Sequence, residues 1–161
     1  MEEAASFLAT SAVPYRSQLL GPRAHFSTQI FGGESPRMYL SWVRTSGAMQ
    51  VRSELPPDSY AMVLGVAGEL EHRVAGEVVC VCPECALLQS PSQPAEVRTP
   101  ERFELLFLKF SRESLVCEIE KMLMRGINAP LDLLAVLQAG NRGRTAVSPT
   151  SVEPVRTPQV G

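Results

Sequence analysis

The chain of 161 residues is 45% hydrophobic and 20% charged, with a net charge of −2 at pH 7. That length holds one domain with a real core rather than two, and that composition folds rather than staying disordered. The small negative charge and the lack of a basic run argue against a nucleic-acid-binding face, and no apolar stretch is long enough to span a bilayer.

The opening stretch, MEEAASFLATSAV, places two glutamates where a secretory signal carries positive charge, so a cytoplasmic location is expected. Residues 1–25 are weakly periodic and interrupted by Pro14 and by Gly21-Pro22, which reads as an arm laid against the domain or loose in solution. A loop signal at 31–36 precedes MYLSWVRTSGAMQVRSEL. Here alternation puts Met38, Leu40, Trp42 and Arg44 on one face, read as the inner one. After a Pro-Pro-Asp turn at 56–58, the even positions Tyr60, Met62, Leu64, Val66, Leu70, His72 and Val74 form an apolar face. Gly65 and Gly68 mark a bend or bulge. Ala75-Gly76 predicts a tight hairpin turn into EVVCVC. Pro83-Glu84 turns into CALLQS, PSQP leads to AEVRT, and RFELLFLKF is apolar on both faces, as a central, covered strand would be.

The period then changes. Ser111 is a candidate N-cap with Glu113 in the first turn, and Leu115, Val116, Ile119, Met122 and Leu123 follow at helical spacing before a stop at Gly126. APLDLLAVLQAG predicts a second helix ending at Gly140, and the Pro-, Ser- and Thr-bearing run from Asn141 predicts a disordered tail. About seven short strands followed by helices suggest a sandwich or jelly-roll barrel with helices packed outside it.

From about Phe26 to about Leu123 this order resembles the N-terminal sensor domain of AraC-type transcription regulators, a cupin-like jelly roll. The resemblance rests on linked pieces: a strand ending near RTSG, the YAMVLGVAGEL run, a short hairpin, and Pro83-Glu84-Cys85 where the family usually shows Pro-Gly-Asp. A strand ending in SPSQP and an apolar strand running into SRESL complete the set. It implies a mainly β fold, a cupin-like jelly-roll barrel (26–110) followed by two C-terminal helices (111–140) and a tail (141–161). It further implies binding of a small-molecule effector and dimerisation through the helices. The regulators' paired helix-turn-helix units have no counterpart in 141–161, so a homodimeric sensor without direct DNA binding is expected, and no membrane association.

Three groups are candidate sites. Trp42, Arg44, Tyr60 and His72 fall on the faces read as inward and are candidate effector contacts. A buried Arg44 would need an anionic partner. Leu115, Ile119, Met122 and Leu123 are candidate dimer contacts. Cys80, Cys82 and Cys85 pack three of the four cysteines into six positions and include one C-x-x-C. Cys80 and Cys82 would share a strand face about 6–7 Å apart. The readings are plain packing, a metal site in a zinc-stabilised interaction module, and a redox pair. Packing is favoured, because one knuckle supplies too few ligands. A cupin enzyme would need several histidines, but His72 is accompanied only by His25. No nucleophile elbow, phosphate loop or paired carboxylates appear either, so no enzymatic activity and no cofactor are expected.

Overall fold

The computed structural model describes residues 13–127, 131, 133 and 135–138. Its strands are β1 (Tyr15–Leu19), β2 (Ser27–Ser35), β3 (Met38–Ser46), β4 (Met49–Glu54), β5 (Ser59–Ala67), β6 (Leu70–Val74), β7 (Glu77–Val81), β8 (Cys85–Gln89), β9 (Pro94–Arg98), β10 (Arg102–Ser111) and β11 (Ala135–Gln138). One helix, α1 (Arg112–Leu123), follows β10. The strands form two antiparallel sheets, β1-β4-β9-β6-β7 and β11-β8-β5-β10-β3-β2. No strand belongs to both sheets, so the expected barrel is an open jelly-roll sandwich.

The residues predicted as an arm are partly structural. Tyr15–Leu19 pairs with β4 along its whole length and extends the five-stranded sheet. Residues 1–12 and the predicted tail at 141–161 lie outside the described residues.

Inside the sandwich, Val63, Leu70, Val74, Val81, Leu87, Ala95 and Phe103 form the main buried cluster. β10 is central in its sheet, between β5 and β3. Its odd residues Phe103, Leu105 and Phe107 face inward. Its outer face is only half-buried, so the expectation of full cover on both sides is not met among the described residues.

One of the crossings between the two sheets falls where β5 ends and β6 begins. The pairing of β10 with β5 slips by one residue at Glu104/Leu105, opposite the end of β5. Gly68 then turns with φ +79, and a Cβ there would meet the Arg102 carbonyl oxygen at 2.6 Å. The slip changes which parity points inward. On β5 the inner residues are Ala61 and Val63, whereas on β6 they are Leu70, His72 and Val74. A continuous even face over 60–74 is therefore corrected to two faces of opposite parity, one in each sheet.

The Ala75-Gly76 hairpin forms as read, with φ +51 and +83 at its two central residues, the pair of positive angles that a tight primed turn needs. Between β7 and β8, the Cys85 N–H donates to the Cys82 carbonyl at 2.9 Å, with Pro83 second and Glu84 third in the turn. Glu84 has φ +78, as the third residue of a type II turn requires. Non-glycine residues in this region are strained by roughly 1–2 kcal/mol.

Ser111 caps α1 by accepting from the Ser114 N–H at 3.1 Å. The helix ends before the predicted stop. Met124 takes the left-handed conformation at φ 53, and the Ile127 N–H donates to Glu120 Oε1 at 2.7 Å. The second predicted helix is corrected outright over 135–138, where the chain pairs with β8 as β11, from Ala135↔Leu88 to Gln138↔Cys85. The physical reason is the edge of β8, whose unpaired backbone groups are satisfied by an added strand and not by a helix. Tyr60 Oη donates to the Leu131 carbonyl at 2.6 Å, and Ser90 Oγ bonds both backbone groups of Leu133, which fasten the approach to this strand.

Two substitutions test these turns. Glu84→Gly should stabilise the protein by about 1 kcal/mol, read from urea denaturation, because glycine relieves the left-handed strain. Gly65→Ala should destabilise it by about 1–3 kcal/mol, since a Cβ at Gly65 overlaps the Cys82 carbonyl. Unchanged stability in either variant contradicts the geometry described.

Candidate functional site

Between the two sheets lies a cavity of about 250 Å³. Its walls are mostly apolar, with Val43, Val63, Leu70, Phe103, Leu105 and Phe107 among them. Each inner residue is placed there by strand alternation, β3 contributing Ser41, Val43 and Thr45, and β10 contributing Phe103, Leu105 and Phe107.

The polar groups in the wall divide into satisfied and unsatisfied. Thr28 and Thr45 are cross-strand partners and bond each other at 2.9 Å. Thr99 Oγ1 accepts from the Met49 N–H at 2.9 Å and donates to the Met49 carbonyl. Gln89 Nε2 donates to the Gln93 carbonyl at 3.0 Å. By contrast, Ser41 Oγ and both ring nitrogens of His72 are buried and meet no partner in hydrogen-bond geometry. Burial pushes the His72 pKa from 6.5 down to about 4, while the neighbouring Gln89 side chain opposes the shift to a smaller extent. At neutral pH the ring is therefore uncharged.

The predicted contacts separate. His72 sits in the cavity wall at 3% exposure. Trp42 and Arg44 are on the outer face of β3, which corrects the inward reading of their parity. Arg44 Nε bonds Glu104 Oε1 at 2.7 Å and the guanidinium lies 5.0 Å from the Trp42 ring centroid, while Trp42 packs against Phe31. With its carboxylate partner on the neighbouring strand, Arg44 has no need of an anionic ligand. Tyr60 is buried but also faces outward, stacked on Phe110 beneath Leu131. Sequence reasoning missed Ser41, Thr45 and Gln89. Tyr39, Ser41 and Thr45 look like the wet side of an amphipathic strand. Only the presence of a cavity explains hydroxyls on the inner face and a tryptophan on the outer one.

The cysteines do not converge. Cys80 is exposed on β7, whereas Cys82 and Cys85 hold their sulfurs 2.7 Å apart across the turn. Among the described residues no three His, Cys, Asp or Glu side chains are grouped to hold a metal ion. The contact with Cys85, helped by partial desolvation, pushes the Cys82 thiol up to about 11. A protonated thiol is the opposite of what a reactive or ligating cysteine needs at neutral pH. On α1 no residue is fully buried. Leu115 and Ile119 are half-buried, whereas Met122 and Leu123 are exposed. No helix among the described residues is long and apolar enough to cross a membrane.

Two antiparallel sheets flanking a mostly apolar cavity, with a capped helix after the last long strand, define a cupin-like jelly-roll domain. The chain belongs to the AraC-binding-like domain family, which it matches over residues 4–150. Its fold is similar to that of the AraC-like transcriptional activator CuxR, with a TM-score of 0.58 and 15% identity over 76% of this chain and 47% of that one. The chain thus spans about half the length of that activator. Weaker similarities include a cupin superfamily protein from Desulfitobacterium hafniense, with a TM-score of 0.48, 16% identity, and 52% of this chain against 77% of that one. The Schizosaccharomyces pombe Cnp3 cupin domain also has a TM-score of 0.48, at 9% identity over 73% of this chain and 98% of that domain. No curated protein sequence matches the chain.

The buried imidazole makes stability depend on pH. The unfolded chain protonates near pH 6.5, and the folded one resists protonation until about pH 4, so the stabilising contribution is complete above pH 6.5 and lost as pH falls toward 4. Between pH 7.5 and pH 5 the loss should be about 2 kcal/mol in urea denaturation. His72→Gln should flatten that slope, and an equal slope in the variant would show that the ring is not buried as described.

Proposed function

We propose that this chain is the effector-sensing domain of an AraC-type transcription regulator, a binding domain and not an enzyme. The observation that carries the reading is the cavity between the two sheets of a member of the AraC-binding-like family. Protein cores pack to the density of organic crystals, and empty apolar space costs stability in proportion to its volume. A cavity of about 250 Å³ with buried polar groups still unpaired is therefore a site shaped for an occupant. The shared fold with CuxR, a transcriptional activator, supports the same reading.

Signal output has a short path. Phe103, Leu105 and Phe107 line the cavity on β10, and the last residue of that strand, Ser111, is the cap of α1. A ligand that shifts β10 acts directly on the helix start. We assign dimerisation to the far end of this helix, where Met122, Leu123 and Met124 are 82%, 50% and 92% exposed. Only one α-helix occurs among the described residues, so DNA reading is assigned elsewhere than to them.

A thermal-shift screen of small metabolites tests the sensing role. A ligand at a hundred times its Kd should stabilise the chain by about 2.7 kcal/mol, or several degrees. Val63→Trp, which fills the cavity, should weaken such a ligand more than tenfold, and equal binding to that variant would sink the cavity reading. For the helix, sedimentation should show a dimer that Met122→Glu with Leu123→Glu converts to monomer. A wild-type chain that stays monomeric at high concentration would remove the dimer assignment.

A further inference from the structure

We infer that the cavity takes an uncharged, predominantly apolar molecule of about two fused rings, with one hydroxyl or carbonyl group that pairs with His72. This deepens the sensor reading and rests on it for its biological meaning, while its chemistry follows from the wall.

Charge is the first restriction. Among the described residues no Asp, Glu, Lys or Arg side chain lines the cavity. A carboxylate, phosphate or ammonium group entering it would lose its hydration with no counter-charge to replace it. The one cationic side chain that parity reading had placed inside, Arg44, is on the outer face and already bonded to Glu104. Size is the second restriction. A dry cavity of about 150 Å³ lined by aliphatic and aromatic residues accommodates benzene. By that scale about 250 Å³ accommodates a naphthalene-sized body. Phe26, Phe103 and Phe107 in the wall suit the faces and edges of flat rings.

The polar restriction selects the functional group. Thr28, Thr45 and Thr99 already have partners, so they do not demand one from a ligand. Ser41 and His72, at 1% and 3% exposure, have no partner at full hydrogen-bond geometry, and the only side chain acting on the His72 ring is the weakly placed Gln89 amide. They stand on different sheets, His72 on β6 and Ser41 on β3. A neutral imidazole has one donor and one acceptor, so it pairs equally with a hydroxyl or a carbonyl. An apolar ligand without such a group would leave the buried ring unsatisfied, which is why the pairing gives specificity beyond shape.

The test uses three probes of one shape, naphthalene, 2-naphthol and 2-naphthoate, titrated calorimetrically into the whole chain at neutral pH. The expected order is 2-naphthol about tenfold tighter than naphthalene, with 2-naphthoate weaker than 2-naphthol by about a hundredfold or more. His72→Leu should bring 2-naphthol down to the naphthalene level and leave naphthalene within about threefold. Independently of any substitution, the ring-nitrogen resonances of His72 should move with 2-naphthol and not with naphthalene. The inference is overturned if 2-naphthoate binds as tightly as 2-naphthol, if none of the three binds, or if the His72 resonances ignore 2-naphthol. The sensor reading fails separately. Tight 2-naphthoate binding that Val63→Trp abolishes would remove the ligand class and keep a cavity sensor, whereas a cavity ligand with no effect on regulator output would do the reverse.

Discussion

The bend between β5 and β6 is the constraint on which the rest of this molecule depends. There the chain leaves the six-stranded sheet and enters the five-stranded one. Two glycines make the passage possible. Gly65 lies against the Cys82 carbonyl, and Gly68 takes a positive φ against the backbone of Arg102 and Phe103. A side chain at either place would push apart elements that must touch. Because the register slips at the same point, the inner parity changes between strands, and His72 turns inward although Tyr60, of the same parity, turns out.

From that bend follows an interior with an unusual division of polarity. Small hydroxyls and a neutral imidazole face the cavity, while Trp42, Phe31, Leu40 and the Arg44–Glu104 pair sit on the outer surface of the six-stranded sheet. A solid core would reverse this arrangement, since unpaired Ser41 and His72 are costly in a space that nothing else enters. Placed around a cavity, they become the polar contacts of a binding wall. The outer aromatic residues instead support the sheet, and the chain near Leu131 and Leu133 is fastened over part of it by Tyr60 and Ser90.

The cysteine-rich turn illustrates how local chemistry and local shape differ in importance. Cys82 and Cys85 close a tight turn in which Glu84 occupies a position better suited to glycine. The same carbonyl that closes that turn fits against Gly65, so the turn helps hold the β5–β6 bend. The contribution is steric, and the Cys82 thiol, kept protonated by its contact with Cys85, adds little reactivity to it.

Much of the architecture was legible in residue order because its signals are local. The Ala75-Gly76 hairpin, the Ser111 cap, the strand succession and the resemblance to AraC-type sensors each depend on neighbours a few residues apart. Alternation also shows that residues 38–46 form a strand, but it cannot say which face is wet, because a strand whose inner face lines a cavity alternates just as one on a solid core does. The segment 135–138 has helical periodicity, yet pairs with the open edge of β8, a requirement set by a strand some fifty residues away in sequence. The amino-acid sequence by itself determined most of the elements between Phe26 and Leu123, their order and the family. Only the tertiary structure decided which side of each strand is inside, and hence that His72 meets the cavity while Trp42, Arg44 and Tyr60 do not. Inside and outside are properties of two sheets facing each other, and no single strand contains that information.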